Sequence, residues 1–95
     1  SLGFDLQKLS PGMMQYLGIK DPVGFLVLAV VPGSPAWKSG LRPQDIIREV
    51  GGQPLTSSDV WWRLVYEVQV GDSIGFKAER QNVPFEGKII IEESK

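Results

Sequence analysis

The fold of this chain is decided by residues 31–47, which read VPGSPAWKSGLRPQDII. Ser34 followed by Pro35 is a helix-start signature, because a serine side chain caps free backbone N–H groups and proline loses nothing at the first helical position. Gly40 supplies the left-handed residue that ends a helix of little more than one turn. Pro43 restricts its own φ and favours extended backbone just before it. The stretch therefore predicts a short helix between two strands.

The segments on either side of this stretch predict those two strands. Residues 25–31 are uniformly apolar, which is typical of a strand covered on both faces. A short buried helix is the alternative, but three valines and the bounding Gly24 and Pro32 favour a strand. Residues 46–50 predict the next strand, and Gly51-Gly52 can supply the positive φ of a tight hairpin.

Four spaced motifs in this part of the chain carry a family resemblance. They are Gly33-Ser34-Pro35-Ala36, Gly40-Leu41-Arg42-Pro43, Asp45-Ile46-Ile47 and Gly52-Gln53-Pro54-Leu55. Their spacing resembles that of a bacterial-type PDZ domain, most closely the PDZ modules of HtrA/Deg trypsin-type serine proteases, over nearly the whole chain. The sequence departs from the family at Gln44, which is usually glycine, and at Gly51, where asparagine is common. Because Pro43 and Asp45 are retained, we expect the change at Gln44 to alter one turn only.

The composition is that of one small domain. The chain has 95 residues, 42% of them hydrophobic and 22% charged, which is ordinary for a globular protein. A formal net charge of −1 gives no electrostatic reason to expect nucleic acid or an anionic membrane as a partner. Histidine and cysteine are both absent, which removes disulfides, thiolate chemistry, the Ser–His catalytic arrangement and the commonest zinc ligand. We expect no cofactor, no metal and no catalytic activity in this domain, and we expect residues 1–95 to be a fragment of a longer protein.

The remaining segments complete a small α+β domain. Alternation from Phe4 to Lys8 predicts a half-buried first strand, and Ser10-Pro11 begins a short helix that ends at Gly18. Residues 60–68 predict the longest helix, with Thr56 and Asp59 at the spacing of a capping box. Strands follow at residues 73–80 and 85–92 with a turn at 81–84, and residues 92–95 are expected to extend into solvent. The predicted fold is a small antiparallel, five- to six-stranded, partly open barrel or sandwich, capped by two or three helices.

The resemblance implies peptide recognition by strand addition. An extended C-terminal peptide would pair with the edge formed by Phe4-Asp5-Leu6-Gln7, and residues 58–68 would form the opposite wall. The backbone N–H groups of Leu2, Gly3 and Phe4 would bind the terminal carboxylate, with a contribution from a nearby helix N-terminus. The family's usual aromatic residue before Leu2 is replaced here by Ser1.

A pocket for the peptide's last side chain is expected between this edge and the helix. Apolar walls favour Val, Leu, Ile or Phe, because a charged terminal side chain would be buried unpaired. The expected binding free energy of the peptide is about −8 kcal/mol, which is a micromolar affinity, or weaker. Trp61 and Trp62 point about 100° apart on a helix, so one wall cannot bury both, and we assign Trp61 to the groove. Phe4 and Leu6 can serve the core as well. The predicted peptide-binding residues are Leu2, Gly3, Phe4, Asp5, Leu6, Trp61, Leu64 and Val65.

The favoured function is that of a non-catalytic peptide-binding module. It would recognise substrates for an attached serine protease, or regulate that protease, in protein quality control. The expected location is the cell envelope or periplasm. The partners of the module would be apolar-ended peptides and the adjacent protease domain, and the isolated domain would be monomeric. Two alternatives stay open. The first is a PDZ domain of an intramembrane or tail-specific protease or of a secretion component. The second is a regulatory or oligomerisation module whose groove is occupied by its own protein or a neighbouring subunit, with Trp61 or Trp62 as the contact.

Overall fold

The computed structural model describes residues 2–93. Ser1, where the family's aromatic residue is replaced, and the last two residues of the predicted tail lie outside the described residues. The secondary-structure elements of residues 2–93 are, in chain order, β1 (Phe4–Lys8), α1 (Pro11–Leu17), β2 (Phe25–Val30), α2 (Pro35–Lys38), β3 (Ile46–Val50), β4 (Gln53–Pro54), α3 (Ser58–Glu67), β5 (Ser73–Arg80) and β6 (Val83–Ile90).

The strands form one antiparallel sheet in the order β1-β2-β3-β5-β6, with β4 paired to β3. β1 and β6 are therefore the two edges of the sheet. This six-stranded open antiparallel sheet with three helices confirms the predicted α+β, PDZ-like architecture for the described part of the chain. The main core gathers residues from all parts of the chain, with the largest fully buried apolar side chains being Leu41, Ile47, Leu55, Ile89, Val27 and Val50.

The deciding stretch folds as its local signals predict. The Ser34 hydroxyl accepts a hydrogen bond from the backbone N–H of Trp37 at 3.2 Å, which caps α2. At the other end, the N–H of Gly40 donates to the Trp37 carbonyl at 3.0 Å and that of Leu41 donates to the Ala36 carbonyl at 3.3 Å. This pair of bonds is a Schellman motif, and it requires the positive φ of +96° that Gly40 adopts.

The apolar strand β2 is covered less completely than its sequence predicts. Leu28 is 48% exposed, Ala29 is also exposed, and Val31 lies exposed beyond the end of β2, so the prediction of burial on both faces is wrong for these three residues. The cause is a register shift, because Asp5 pairs with Ala29 whereas Leu6 pairs with Val27. Leu28 is the extra residue of this bulge, and such a residue interrupts the alternation of a strand.

The two hairpins differ in how well the sequence predicts them. Gly51 and Gly52 turn β3 into β4 with φ values of +56° and +78°, as predicted. The turn predicted over residues 81–84 is wrong in its length, because Gln81 and Asn82 alone form it, at φ values of +50° and +65°. Pro84 belongs to β6, and a proline is tolerated there because β6 is an edge strand.

The start of α3 also differs from the prediction. Its N-cap is Ser57, whose side chain makes no capping hydrogen bond. The capping box assigned to Thr56 and Asp59 is therefore wrong, because both residues are displaced by one position from the places that the motif requires. Asp59 instead lies in the first turn, where a carboxylate interacts favourably with the helix dipole.

The buried carboxylate of Asp45 links the loop between α2 and β3 to strand β5. Asp45 is fully buried and accepts hydrogen bonds from the Arg42 backbone N–H at 2.7 Å and from Arg80 Nε and Nη2 at 2.8 and 2.9 Å. Arg80 Nη2 also donates to the Gly40 carbonyl at 2.7 Å. No local pattern predicts this role of Asp45, because its partner Arg80 lies 35 residues away in the sequence.

Candidate functional site

A groove of about 660 Å³ runs between β1 and α3, within the volume range of ligand pockets. β1 supplies one wall and α3 the other, while the loop before β1, β2, the residues that flank α3 and the segment after β6 contribute the rest. Its lining consists of Leu2, Phe4, Asp5, Leu6, Phe25, Leu55, Ser58, Trp61, Trp62, Val65, Val68, Ile91 and Glu92.

The two tryptophans have different positions in this groove. Trp61 is only 8% exposed, and its ring contacts that of Phe4 with the centroids 5.2 Å apart and the planes at 59°. This contact joins the two walls and belongs to the main core. Trp62 is 63% exposed although it also lines the groove, which places it at the rim.

The structure brings most of the predicted site residues to one place. Six of them line the groove, namely Leu2, Phe4, Asp5, Leu6, Trp61 and Val65. Leu64 does not line it. Its side chain instead packs against the β3–β4 turn, where its methyl groups lie 2.9 Å from the position that a Cβ on Gly51 would take. The placement of Leu64 in the pocket is thus corrected, because it lies beyond the edge of the helix face that Trp61, Trp62, Val65 and Val68 present to the groove.

Several groove residues were missing from the predicted site. Phe25, Leu55 and Ile91 come from separate segments, and only the sheet topology brings them beside β1 and α3. Ile91 is fixed by two backbone hydrogen bonds of 2.9 Å, one from Gly71 and one to Asp72. No local pattern links these residues, so the sequence offered no signal for them.

The strand predicted over residues 85–92 ends at Ile90 in the structure, and the segment after it lies beside the groove. Glu92 lines the groove and forms an ion pair of 2.9 Å with Lys38 of α2. Glu92 is exposed, in agreement with the prediction that the tail enters solvent there, and its ion pair with Lys38 keeps the side chain beside the groove.

The loop before β1 is held against α2 and β2. The Leu2 carbonyl accepts from the Ala36 N–H at 3.1 Å, and the Gly3 carbonyl accepts from the Val31 N–H at 2.7 Å. In a planar trans peptide the N–H points opposite to the carbonyl, so the N–H groups of Gly3 and Phe4 face the other side of the loop. Gly3 is required here, because its φ is +86° and a Cβ would overlap the Ser34 side chain.

β1 presents backbone groups along an edge of the sheet. Phe4 pairs with Val30, and the neighbouring bond from Val31 to Gly3 makes this a non-hydrogen-bonded pair. The N–H and carbonyl of Phe4 therefore point away from β2. Within residues 2–93, β2 is the only strand that pairs with β1.

Residues 2–93 contain neither a cluster of metal-ligating side chains nor a membrane-spanning helix. In residues 2–93, no group of three or more Asp, Glu, His or Cys side chains is placed to hold a metal ion. None of the helices in the same residues is long and apolar enough to cross a membrane.

Comparison with known proteins identifies the family. Residues 26–74, just over half of the chain, match the family model for the PDZ domain, and the chain belongs to this family. It is 36% identical to a putative serine protease HhoB of Synechocystis sp., over 87% of this chain and 22% of that protein. It is 33% identical to a probable periplasmic serine endoprotease DegP-like of Halomonas elongata, over 83% of this chain and 17% of that protein. The chain thus spans about a fifth of the length of these relatives.

Solved structures agree on the fold. The HtrA-type protease AlgW with decapeptide superposes with a TM-score of 0.85 at 22% identity, over 100% of this chain and 29% of AlgW. The HtrA3 PDZ domain bound to a phage-derived ligand (FGRWV) superposes with a TM-score of 0.81 at 23% identity, over 95% of this chain and 82% of that domain. The resemblance to PDZ domains of HtrA/Deg-type serine proteases is confirmed.

Proposed function

We propose that this domain binds C-terminal or extended peptides by adding them as a strand to β1. The observation that carries the proposal is the groove beside the outer edge of β1, with α3 as its second wall. In strand addition, main-chain hydrogen bonds supply affinity and pockets for alternate side chains supply specificity. The decapeptide of AlgW and the phage-derived ligand of the HtrA3 PDZ domain support this reading.

The loop before β1 is the proposed carboxylate site. Backbone N–H groups of Leu2, Gly3 and Phe4 would bind the terminal carboxylate, as such N–H groups commonly bind anions. The hydrogen bonds that hold the Leu2 and Gly3 carbonyls against α2 and β2 support this role, because they fix the direction of the next two N–H groups. A carboxylate at the start of β1 means that the peptide runs antiparallel to β1.

The terminal side chain of the peptide would lie in the apolar part of the groove. Leu2, Phe4, Leu6, Val65 and Val68 line it with aliphatic and aromatic surface. A charged side chain there would lose its hydration without gaining a partner, so Val, Leu, Ile or Phe is favoured.

The domain would act as one part of a longer protein. Its relatives are named as serine proteases, and several as periplasmic, so an attached trypsin-type protease domain in the cell envelope is the proposed context. The PDZ domain would select substrates or regulate that protease in protein quality control, and the protease domain would perform the cleavage. The full reading frame of the gene tests this arrangement directly.

Peptide binding is tested by NMR titration with one peptide that ends in Val, prepared as the free acid and as the C-terminal amide. The free acid should shift the amide resonances of residues 2–6 and 58–68, and the amide form should bind far more weakly. Val65→Ala should weaken binding of the acid, whereas Leu64→Ala is the matched control, because it shortens a neighbouring side chain of the same helix that lies off the groove.

Two results would contradict the proposal. Equal binding of acid and amide would exclude carboxylate recognition. No shift with either peptide would exclude an open groove, and self-association in sedimentation experiments would then favour the oligomerisation module.

A further inference from the structure

We infer that the groove selects a lysine or arginine immediately before the peptide's C-terminal residue, through the carboxylate of Asp5. This inference deepens the proposed function and rests on it. It follows from the register of the added strand and from the surroundings of Asp5.

The register places the penultimate residue opposite Asp5. Because the carboxylate lies at the start of β1 and the peptide is antiparallel, its last residue lies opposite Phe4, the penultimate one opposite Asp5 and the third from the end opposite Leu6. Directly opposed side chains share a face of the sheet, and successive side chains alternate between faces. The last and third side chains therefore point into the groove with Phe4 and Leu6, and the penultimate one lies beside Asp5.

Asp5 is placed to attract a cation there. It is exposed, it borders the groove, and it makes no ion pair or side-chain hydrogen bond within the described residues. The other groove carboxylate, Glu92, is already compensated by Lys38 at 2.9 Å. Asp5 is thus a carboxylate beside the groove, on the exposed face of β1, that a ligand cation can neutralise.

The neighbourhood of Asp5 also suits the long stem of a basic side chain. Its partner across the ladder is Ala29, which brings no charge and little bulk. The bulge in β2 leaves Leu28 half-exposed next to Ala29. Lysine and arginine commonly cover such apolar surface with their methylene groups while the charged end remains in water.

The strength of the preference for a basic residue depends on how exposed its ion pair with Asp5 is. Exposed ion pairs are weak and are screened by salt, so a penultimate Arg should bind about three- to fivefold more tightly than Gln, and Glu should bind more weakly than Gln. The preference should shrink as the salt concentration rises.

The test uses three five-residue free-acid peptides that end in Val and differ only at the penultimate position, as Arg, Gln or Glu. Dissociation constants are measured by calorimetry for the wild-type domain, Asp5→Asn and Asp5→Lys. For the wild type, affinity should decrease in the order Arg, Gln, Glu at the penultimate position. The three affinities should become similar in Asp5→Asn, and the order should reverse in Asp5→Lys. Glu86→Lys is the control, because it makes the same change of charge sign at an exposed residue on the opposite edge of the sheet.

The outcomes separate this inference from the function on which it rests. If all three peptides bind equally well to the wild type, or if Glu86→Lys changes the order as much as Asp5→Lys does, the role of Asp5 is wrong and peptide binding stands. If no peptide binds, the proposed function fails and this inference fails with it.

Discussion

Gln44 adopts a backbone conformation that side chains rarely tolerate. Its φ is +79°, its side chain is exposed, and its N–H donates to the Val27 carbonyl at 2.9 Å. The left-handed region costs a residue with a Cβ about 1–2 kcal/mol, of which the greater flexibility of unfolded glycine offsets about 0.5–1. Gln44→Gly should therefore raise the free energy of unfolding by about 0.5–1 kcal/mol in urea denaturation. Gln44→Ala, which keeps the Cβ, should give no such gain, and a Gln44→Gly variant without added stability would show that the turn is unstrained.

Asp45 and Arg80 form a pair whose loss should be costly. The Asp45 carboxylate is fully buried, and its hydrogen bond raises the pKa of Arg80, so Arg80 is cationic at neutral pH. Arg80→Ala would leave a buried carboxylate with one hydrogen-bond donor, at a cost of about 2–3 kcal/mol. Lys77→Ala on the same strand removes only exposed ion pairs of 3.8 and 4.0 Å and should cost less than about 0.5 kcal/mol. Guanidinium denaturation of both variants measures the difference in their free energies of unfolding. Equal losses of unfolding free energy would mean that the burial of Asp45 does not strengthen its interaction with Arg80.

At the level of the elements, two adjacent residues of α3 should contribute to different properties, Trp61 to stability and Trp62 to peptide binding. Trp61 is buried against Phe4 and the core, so Trp61→Ala should destabilise the domain by about 3–5 kcal/mol. Trp62 is 63% exposed at the groove rim, so Trp62→Ala should change stability by no more than about 0.5 kcal/mol. The same variant should weaken peptide binding severalfold, because a ligand in the groove would cover the large apolar surface of this indole. Denaturation and peptide titration of Trp62→Ala measure the two effects, and unchanged affinity would place the ligand away from this rim.

The elements also show what could be predicted from the sequence. α2 and the Gly51-Gly52 hairpin depend on signals within a few residues, and both were predicted. The Gln81-Asn82 turn was predicted too long, because neither residue is glycine and Pro84 is typical of a turn rather than of a strand. In the groove, alternation predicted the strand β1 and apolar periodicity predicted the helix α3, and the resemblance to PDZ domains assigned them as the two walls. The floor residues could not be predicted, since only the order of strands in the sheet brings them together.

For the whole molecule, the groove exists only when the domain is folded. Its lining comes from residues 2–6, 25, 55–68 and 91–92, which are close in space only through the complete sheet and α3. A peptide that binds this groove therefore binds the native state and not the unfolded chain. Binding of that kind stabilises the native state by an amount fixed by ligand concentration and affinity.

This linkage gives a prediction that needs no substitution. A free-acid peptide at 100 times its dissociation constant should stabilise the domain by about 2.7 kcal/mol. For a domain of this size that corresponds to a rise in Tm of about 10–15 °C, and scanning calorimetry should record it. The amide form of the peptide at the same concentration should give a much smaller rise, because the loop before β1 would lose the carboxylate. Equal rises in Tm with both forms would mean that the terminal carboxylate does not contribute to binding. No rise in Tm with either form would mean that the groove between β1 and α3 does not bind such peptides.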